Sequence, residues 1–214
     1  MFSINLSKDF DYHTQRNNKY VPMASCNTTA LIMALISSNI SFDYPAGMQP
    51  EDYLTSLLQS KEAFDEMKKI APWAVKDGYP PQEVHVMLEW AVNQKLVGRK
   101  VDVFTTNATI QDLLFNILKK ESTCAVSGYF TKSGHIVTLV GFESKQKNIE
   151  SIKRAEEIDL DKVKDLIVDD PYGNYHKDYK DYHGNNIKFS LQEFADLTKT
   201  KHSLTAKWAH MINI

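Results

Sequence analysis

The chain reads as an α+β protein, helices first and an antiparallel sheet after. Three observations predict this. Apolar residues recur at helical spacing in successive segments up to about residue 121. From residue 122 the period changes, and β-branched and aromatic runs alternate with turn residues. Hydrophobic residues make up 43% of the 214 and charged residues 24%, an ordinary globular composition that excludes a disordered or collagen-like chain. The length suits one domain over residues 1–214, with a helical half at about 1–121, a sheet half at about 122–214 and a charged insertion at about 143–165.

The elements follow in chain order. Asn17, Asn18, Tyr20 and Pro22 punctuate a polar opening loop. In NTTALIMALISSN, residues Leu31, Ala34, Leu35 and Ser38 share a helical face, with Ser25 or Asn27 as the cap. Pro50 followed by two acidic residues opens a second helix, and KEAFDEMKKIAPWAV makes a third, broken near Pro72. Pro80 and Pro81 precede QEVHVMLEWAVNQKL, another helix. NATIQDLLFNILKKE is the clearest amphipath, lined by Ile110, Leu113, Leu114, Ile117 and Leu118. CAVSGYF and HIVTLVGFES, joined by TKSG, read as a hairpin. LIVDDPYG, IKFSL and TAKWAHMINI are further strands, the last with Ala206, Trp208, His210 and Ile212 on one face. Glu143 to Asp165 is charge-rich and predicts a solvated helix or a mobile insertion at a hairpin edge. Trp73 and Trp90, on helices with Met67 and Met87, are read as core.

Charge removes some functions. There are 25 Lys+Arg against 27 Asp+Glu, a formal net charge of -2, so neither nucleic acid nor an anionic membrane is an expected partner. The opening MFSINLSKDFDYHTQ has no basic segment followed by an apolar one, and no apolar run approaches a membrane span. The expectation is a protein soluble and cytoplasmic as synthesised, reaching any outside target by lysis or on a virion.

Only two cysteines are present, Cys26 and Cys124, with seven histidines. That is too few for a disulfide scaffold, and neither has the partner spacing of a structural zinc site. A nucleophilic thiol needs help to ionise, a base within reach and an orienter for that base. Cys26 stands at a helix start, where the positive end of the dipole favours thiolate and free N–H groups can hold an oxyanion. His135 opens a strand after a glycine-containing turn, and Asp170 ends one before Pro171. Adjacent strand ends can bring the two together. Cys124 opens a strand of small apolar residues and is read as core. His210 is read as a structural partner in the last strand. His176 and His183 lie in a Tyr-rich loop at no common metal-ligand spacing.

These residues carry a resemblance. TQRNNKYVPMASCNTTALIMAL (14–35), LLFNILKKESTCAVSGYFTKSGHIVTLVGF (113–142) and LIVDDPYGNY (166–175) resemble, in order, the three blocks of the C39-like, papain-fold cysteine peptidases. The likeness is greatest to the free-standing branch of bacteria and phages. It implies a papain-like fold with Cys26 as nucleophile, His135 as general base and acid, and Asp170 as orienter. It implies Gln15 as the oxyanion-hole side chain beside the Cys26 N–H. Gln15 stands eleven residues ahead of the cysteine, wider than in papain, and Asn17 or Asn18 could serve by the same amide logic. Asp169 rivals Asp170, since strand alternation turns only one of them inward. No metal or organic cofactor is implied. The implied partner is a peptide or protein substrate, peptidoglycan peptide or a host or phage protein among them. Leader-processing relatives are usually fused to a transporter, for which 214 residues leave no room. The alternatives are a non-catalytic binding or inhibitory module on the same fold, and a cysteine-dependent acyltransferase or deamidase.

Overall fold

A computed structural model describes residues 1–8, 12–200, 203 and 205–213. A short strand, β1 (Phe2–Asn5), is followed by helices α1 (Cys26–Ser37), α2 (Pro50–Leu58), α3 (Lys61–Ile70), α4 (Pro72–Lys76) and α5 (His85–Trp90). A π-helical turn over Ala91–Leu96 continues α5. Then come β2 (Asp102–Ala108), α6 (Ile110–Lys120), β3 (Cys124–Gly128), β4 (His135–Ser144) and β5 (Val163–Asp169). The chain finishes with β6 (Ile187–Ser190), α7 (Leu191–Leu197) and β7 (Lys207–Ile212). The architecture is α+β, as the sequence predicts.

The helix boundaries have local causes. Pro50 and Pro72 each open a helix, where a missing N–H costs nothing. Thr109 and Asp112 form a reciprocal capping box on α6, a device worth about 1 kcal/mol. The helix expected to run on from Pro81 begins only at His85, because Pro81–Glu83 closes as a single 3-10 turn.

The strands make one antiparallel sheet in the order β2-β7-β3-β4-β5-β6, and β1 pairs with the far half of β4. β3 and β4 form the expected hairpin, with Gly128 opposite His135. β1 continues the lane of β3 along β4, from Asn5 opposite Gly141 to Phe2 opposite Ser144. A side chain at Gly141 would collide with the Ile4 carbonyl, so this close approach needs glycine.

Alternation along the strands splits the core in two. Ala125, Ile136 and Ile212 face a cluster built from α1 to α5, while Cys124, Val126, Val137, Leu139 and Ala209 face a cluster with α6 and α7. α1 crosses the first face and is tied to it by Thr138 Oγ1 and Thr123 Oγ1, which donate to the Ala30 and Ala34 carbonyls, both at 2.8 Å. The sequence predicts one buried face for α1, yet every residue from Asn27 to Leu35 is buried. α2 packs against α1, α3 against α2, α4 and α5, and α5 against β2.

Four expectations are corrected. Two strands, β1 and β2, lie within the half read as loop and helix; β2 joins the sheet as an edge beside β7. The charged 143–165 stretch is no solvated helix. Its ends belong to β4 and β5, and between them short 3-10 turns bury Ile149, Ile152 and Ile158 against α6, where Gln111 Nε2 donates to the Ile158 carbonyl. Trp73 is not core, being 55% exposed. Trp90 is only partly buried, packed at the margin of the first cluster. No helix among the described residues is long and apolar enough to cross a membrane.

Candidate active site

Cys26 is the first residue of α1, so its own N–H has no intrahelical partner. Ser25 stands at the cap position without capping; its hydroxyl reaches the Gln15 carbonyl at 3.5 Å instead. The Thr28 and Thr29 hydroxyls donate to the Ser25 carbonyl at 3.2 and 2.8 Å, which holds the turn that presents the thiol.

His135 is the first residue of β4 and Asp170 follows the last residue of β5; both side chains are buried. The His135 Nε2 lies 2.7 Å from Asp170 Oδ1. The opposite nitrogen, Nδ1, is left for the Cys26 thiol, whose ionised form the ring favours. Burial pushes the Cys26 thiol up, but the hydrogen bond and charge of His135, with the Ile136 and Asn27 N–H groups, bring it below its ordinary value. Burial alone would depress His135; the Asp170 carboxylate outweighs it and holds the imidazole well above its usual range, with Cys26 adding to the effect. The two shifts favour a thiolate facing an imidazolium.

Asp170 is held from all sides. Its Oδ1 also accepts from the Tyr172 N–H at 2.8 Å, and the Tyr179 hydroxyl stands 3.3 Å from Oδ2. Its carbonyl accepts from Tyr12 Oη at 2.7 Å, and its N–H donates to the Gly184 carbonyl at 2.8 Å. Tyr12 and Tyr179 are pushed far up, by burial first and then by the Asp170 charge in Tyr179, so both stay protonated donors. Asp169, the rival carboxylate, serves another purpose: it accepts from Ser7 Oγ at 2.6 Å and from the Asn186 N–H at 2.8 Å. Alternation at the strand end separates the two acids.

The turn carrying Gln15 (Gln15–Asn17) is bound to the same strand end, because the Gln15 N–H donates to the Pro171 carbonyl at 2.9 Å. Arg16 locks the joint. Its guanidinium lies 3.9 Å from the centres of both the Tyr172 and Tyr182 rings, and its Nε donates to the Tyr172 carbonyl at 2.8 Å. Gln15 is buried, its Nε2 donating to the Pro22 carbonyl at 3.0 Å while its Oε1 has no partner. Asn17 is exposed. Asn18 is spent on structure, accepting from the Tyr20 and Val21 N–H groups.

The other candidates fall elsewhere. Cys124 lies on the opposite sheet face, against Met211 Sδ at 3.6 Å, and burial pushes its thiol up to about 12. His176 reaches the Lys188 carbonyl at 2.8 Å and His183 stacks edge-on against Tyr12. Among the described residues no three metal-capable side chains are placed so that they could hold a metal ion. His210 is buried between Asp102 and His85. Sequence reading missed Tyr12 and Arg16 as supports. Neither had a local signal, since their partners lie 158 and 156 residues away.

A thiol at the start of the central helix thus lies with a histidine and an acid at neighbouring strand ends. Residues 7–196, most of the chain, match the Peptidase_C39 like family, and the chain belongs to that family. No curated protein and no solved structure matches it.

Proposed function

We propose that the protein hydrolyses peptide amide bonds through an acyl-enzyme on Cys26. The observation carrying this reading is the row Cys26–His135–Asp170, in which His135 is hydrogen-bonded to Asp170, the thiol is drawn down and the imidazole is drawn up. The Cys26 thiolate attacks the amide carbonyl carbon, and the oxygen takes up the negative charge. The carbon–nitrogen bond then breaks as His135 passes its Nδ1 proton to the leaving amine. Water next attacks the thioester, giving a proton to His135 and releasing the acid and the thiolate. Asp170 fixes the imidazole's tautomer and balances its charge throughout. The Cys26 N–H and the Gln15 amide nitrogen are the oxyanion donors. Gln15 fits better than Asn17 or Asn18, because only Gln15 is both buried and tied to the neighbours of Cys26 and Asp170. The substrate is a peptide segment; peptidoglycan peptide and a host or phage protein are the two sources to test.

Incubation with purified peptidoglycan and, separately, with a panel of denatured proteins tests the reading. New amine termini in either, absent with Cys26→Ala, are expected. Ammonia release without new termini would make the protein a deamidase; no product at all in either would overturn turnover.

Two substitutions probe the supports. Gln15→Ala is expected to lower kcat by roughly 10²–10³-fold with a much smaller change in KM, the pattern of a lost oxyanion donor. Steady-state kinetics on a cleaved peptide reads both. Gly184 packs against the back of Asp170, and a Cβ there would run into the Asp170 carbonyl oxygen. Gly184→Ala is expected to displace the acid and cost roughly 10- to 100-fold in kcat/KM. A crystal structure of the variant should show the His135–Asp170 distance lengthened.

A further inference from the structure

A second set of side chains has no part in the row described above. On the shared face of β2 and β7, alternation aligns Asp102 and Phe104 with Ile212, His210 and Trp208, and the register sets Phe104 opposite His210. His85, the first residue of α5, lies over this face. The His210 Nδ1 stands 2.7 Å from Asp102 Oδ2, and its Nε2 stands 3.0 Å from His85 Nδ1. The His85 ring stacks on Phe104 with centres 4.5 Å apart and planes 4° from parallel, and Trp208 meets both rings edge-on. These rings, with Trp73, Tyr79 and Val86, line a cavity of about 360 Å³.

The proton order of the relay follows from its acceptor end. With both imidazoles uncharged, the Asp102 carboxylate accepts from His210 Nδ1–H, so His210 Nε2 must accept from His85 Nδ1–H. That leaves the His85 Nε2 with a lone pair. Among the described residues it has no hydrogen-bond partner, and the ring lines the cavity. Burial, then the neighbouring His210, holds His85 far below its ordinary value, so it stays uncharged at neutral pH. In that proton order the aromatic-walled cavity holds one unfilled acceptor.

Two features relate the cavity to the candidate active site. Trp208 also borders a neighbouring groove lined by Ser127, Gly128, Ser133 and Gly134, the last of which precedes His135 in the chain. On the other side Asn27, next to Cys26, donates through Nδ2 to the Gln82 carbonyl, and Gln82 precedes Glu83 at the cavity rim. β7 and β2 are two and three lanes from β4. At about 4.8 Å per lane these strands lie about 10–15 Å from β4 across the sheet, the span of roughly three to four residues of extended peptide.

We propose that this cavity is a substrate subsite for an aromatic side chain bearing an N–H or O–H donor, tryptophan or tyrosine, held by ring contacts and by a hydrogen bond to His85 Nε2. The subsite role rests on the peptidase reading above. Flat aromatic walls fit a ring, and the open acceptor selects a ring that donates.

Two measurements on the intact protein at mildly alkaline pH separate the cavity from the peptidase. The first follows amide and imidazole NMR shifts on titration with N-acetyltryptophanamide and N-acetylphenylalaninamide. Shifts centred on His85, Phe104 and Trp208 are expected, with the phenylalanine probe weaker by roughly two- to tenfold, the worth of one neutral hydrogen bond. His85→Phe should erase that difference, and Trp208→Ala, at a 41% exposed position, should weaken both probes. The second maps cleavage sites in a mixture of proteome-derived peptides. Tryptophan or tyrosine should be enriched about three or four residues from the cut bond. No shift at the cavity with either probe, or equal affinity for the two, overturns the proposal. Shifts with cleavage but no aromatic enrichment overturn the subsite role. Shifts with no cleavage overturn the peptidase reading and leave an aromatic-binding cavity.

Discussion

Cys26→Ser is expected to lower kcat/KM by roughly 10⁴-fold or more, since a serine hydroxyl in the same place stays protonated where the thiol ionises. The control is chemical and needs no substrate. Iodoacetamide near neutral pH should alkylate Cys26 well before Cys124, read by mass spectrometry. The two thiols are opposed in every relevant respect. Cys26 begins α1, is partly exposed and is drawn below its ordinary value. Cys124 is fully buried across the sheet and pushed up to about 12. His135→Ala should slow labelling of Cys26, because it removes the hydrogen bond and charge that counter burial of the thiol. Equal, slow labelling of both cysteines would sink the triad.

Asp170→Asn is expected to reduce kcat/KM by roughly 10²–10⁴-fold and to change the shape of its pH profile. The sign follows from the ion pair. Activity rises with pH as the thiol ionises and falls as the imidazolium gives up its proton. In the native protein the Asp170 charge holds the His135 proton on well above the ordinary imidazole range. Asparagine keeps an acceptor oxygen at this position but removes the charge. Burial, which disfavours imidazolium, then goes unopposed, so the alkaline limb should move down and the active plateau narrow. An unchanged alkaline limb, measured as kcat/KM against pH, would assign that limb to another group. Tyr172 still offers its N–H to position 170, so the local loop should stay in place.

The parts of the site differ in how far local pattern revealed them. The helical run after Cys26 and the hairpin leading to His135 announce themselves within a few residues, through apolar spacing and the TKSG turn. β1 did not, being four residues long. β2 did not, because its run of Val103 to Thr106 is short and lies between two strongly helical segments. The 143–165 stretch misled because its charges outnumber three isoleucines whose burial depends on α6 being alongside. Trp73 misled in the opposite direction: its helix is one turn long and leaves the ring at the surface.

What the sequence determined by itself was therefore local: the α+β order, the thiol at a helix start, and a histidine and an acid at strand ends. Those features arise from periods of two and 3.6 and from turn residues, which act over one element. Partnership was decided by the tertiary structure alone. Asp170 rather than Asp169 meets His135, because the β4–β5 pairing and the turn after β5 set which acid turns inward. Asp102, His210 and His85 form their relay because β2 lands beside β7 with Phe104 opposite His210. Alternation shows which residues share a face, but only the order of strands in the sheet shows which faces meet.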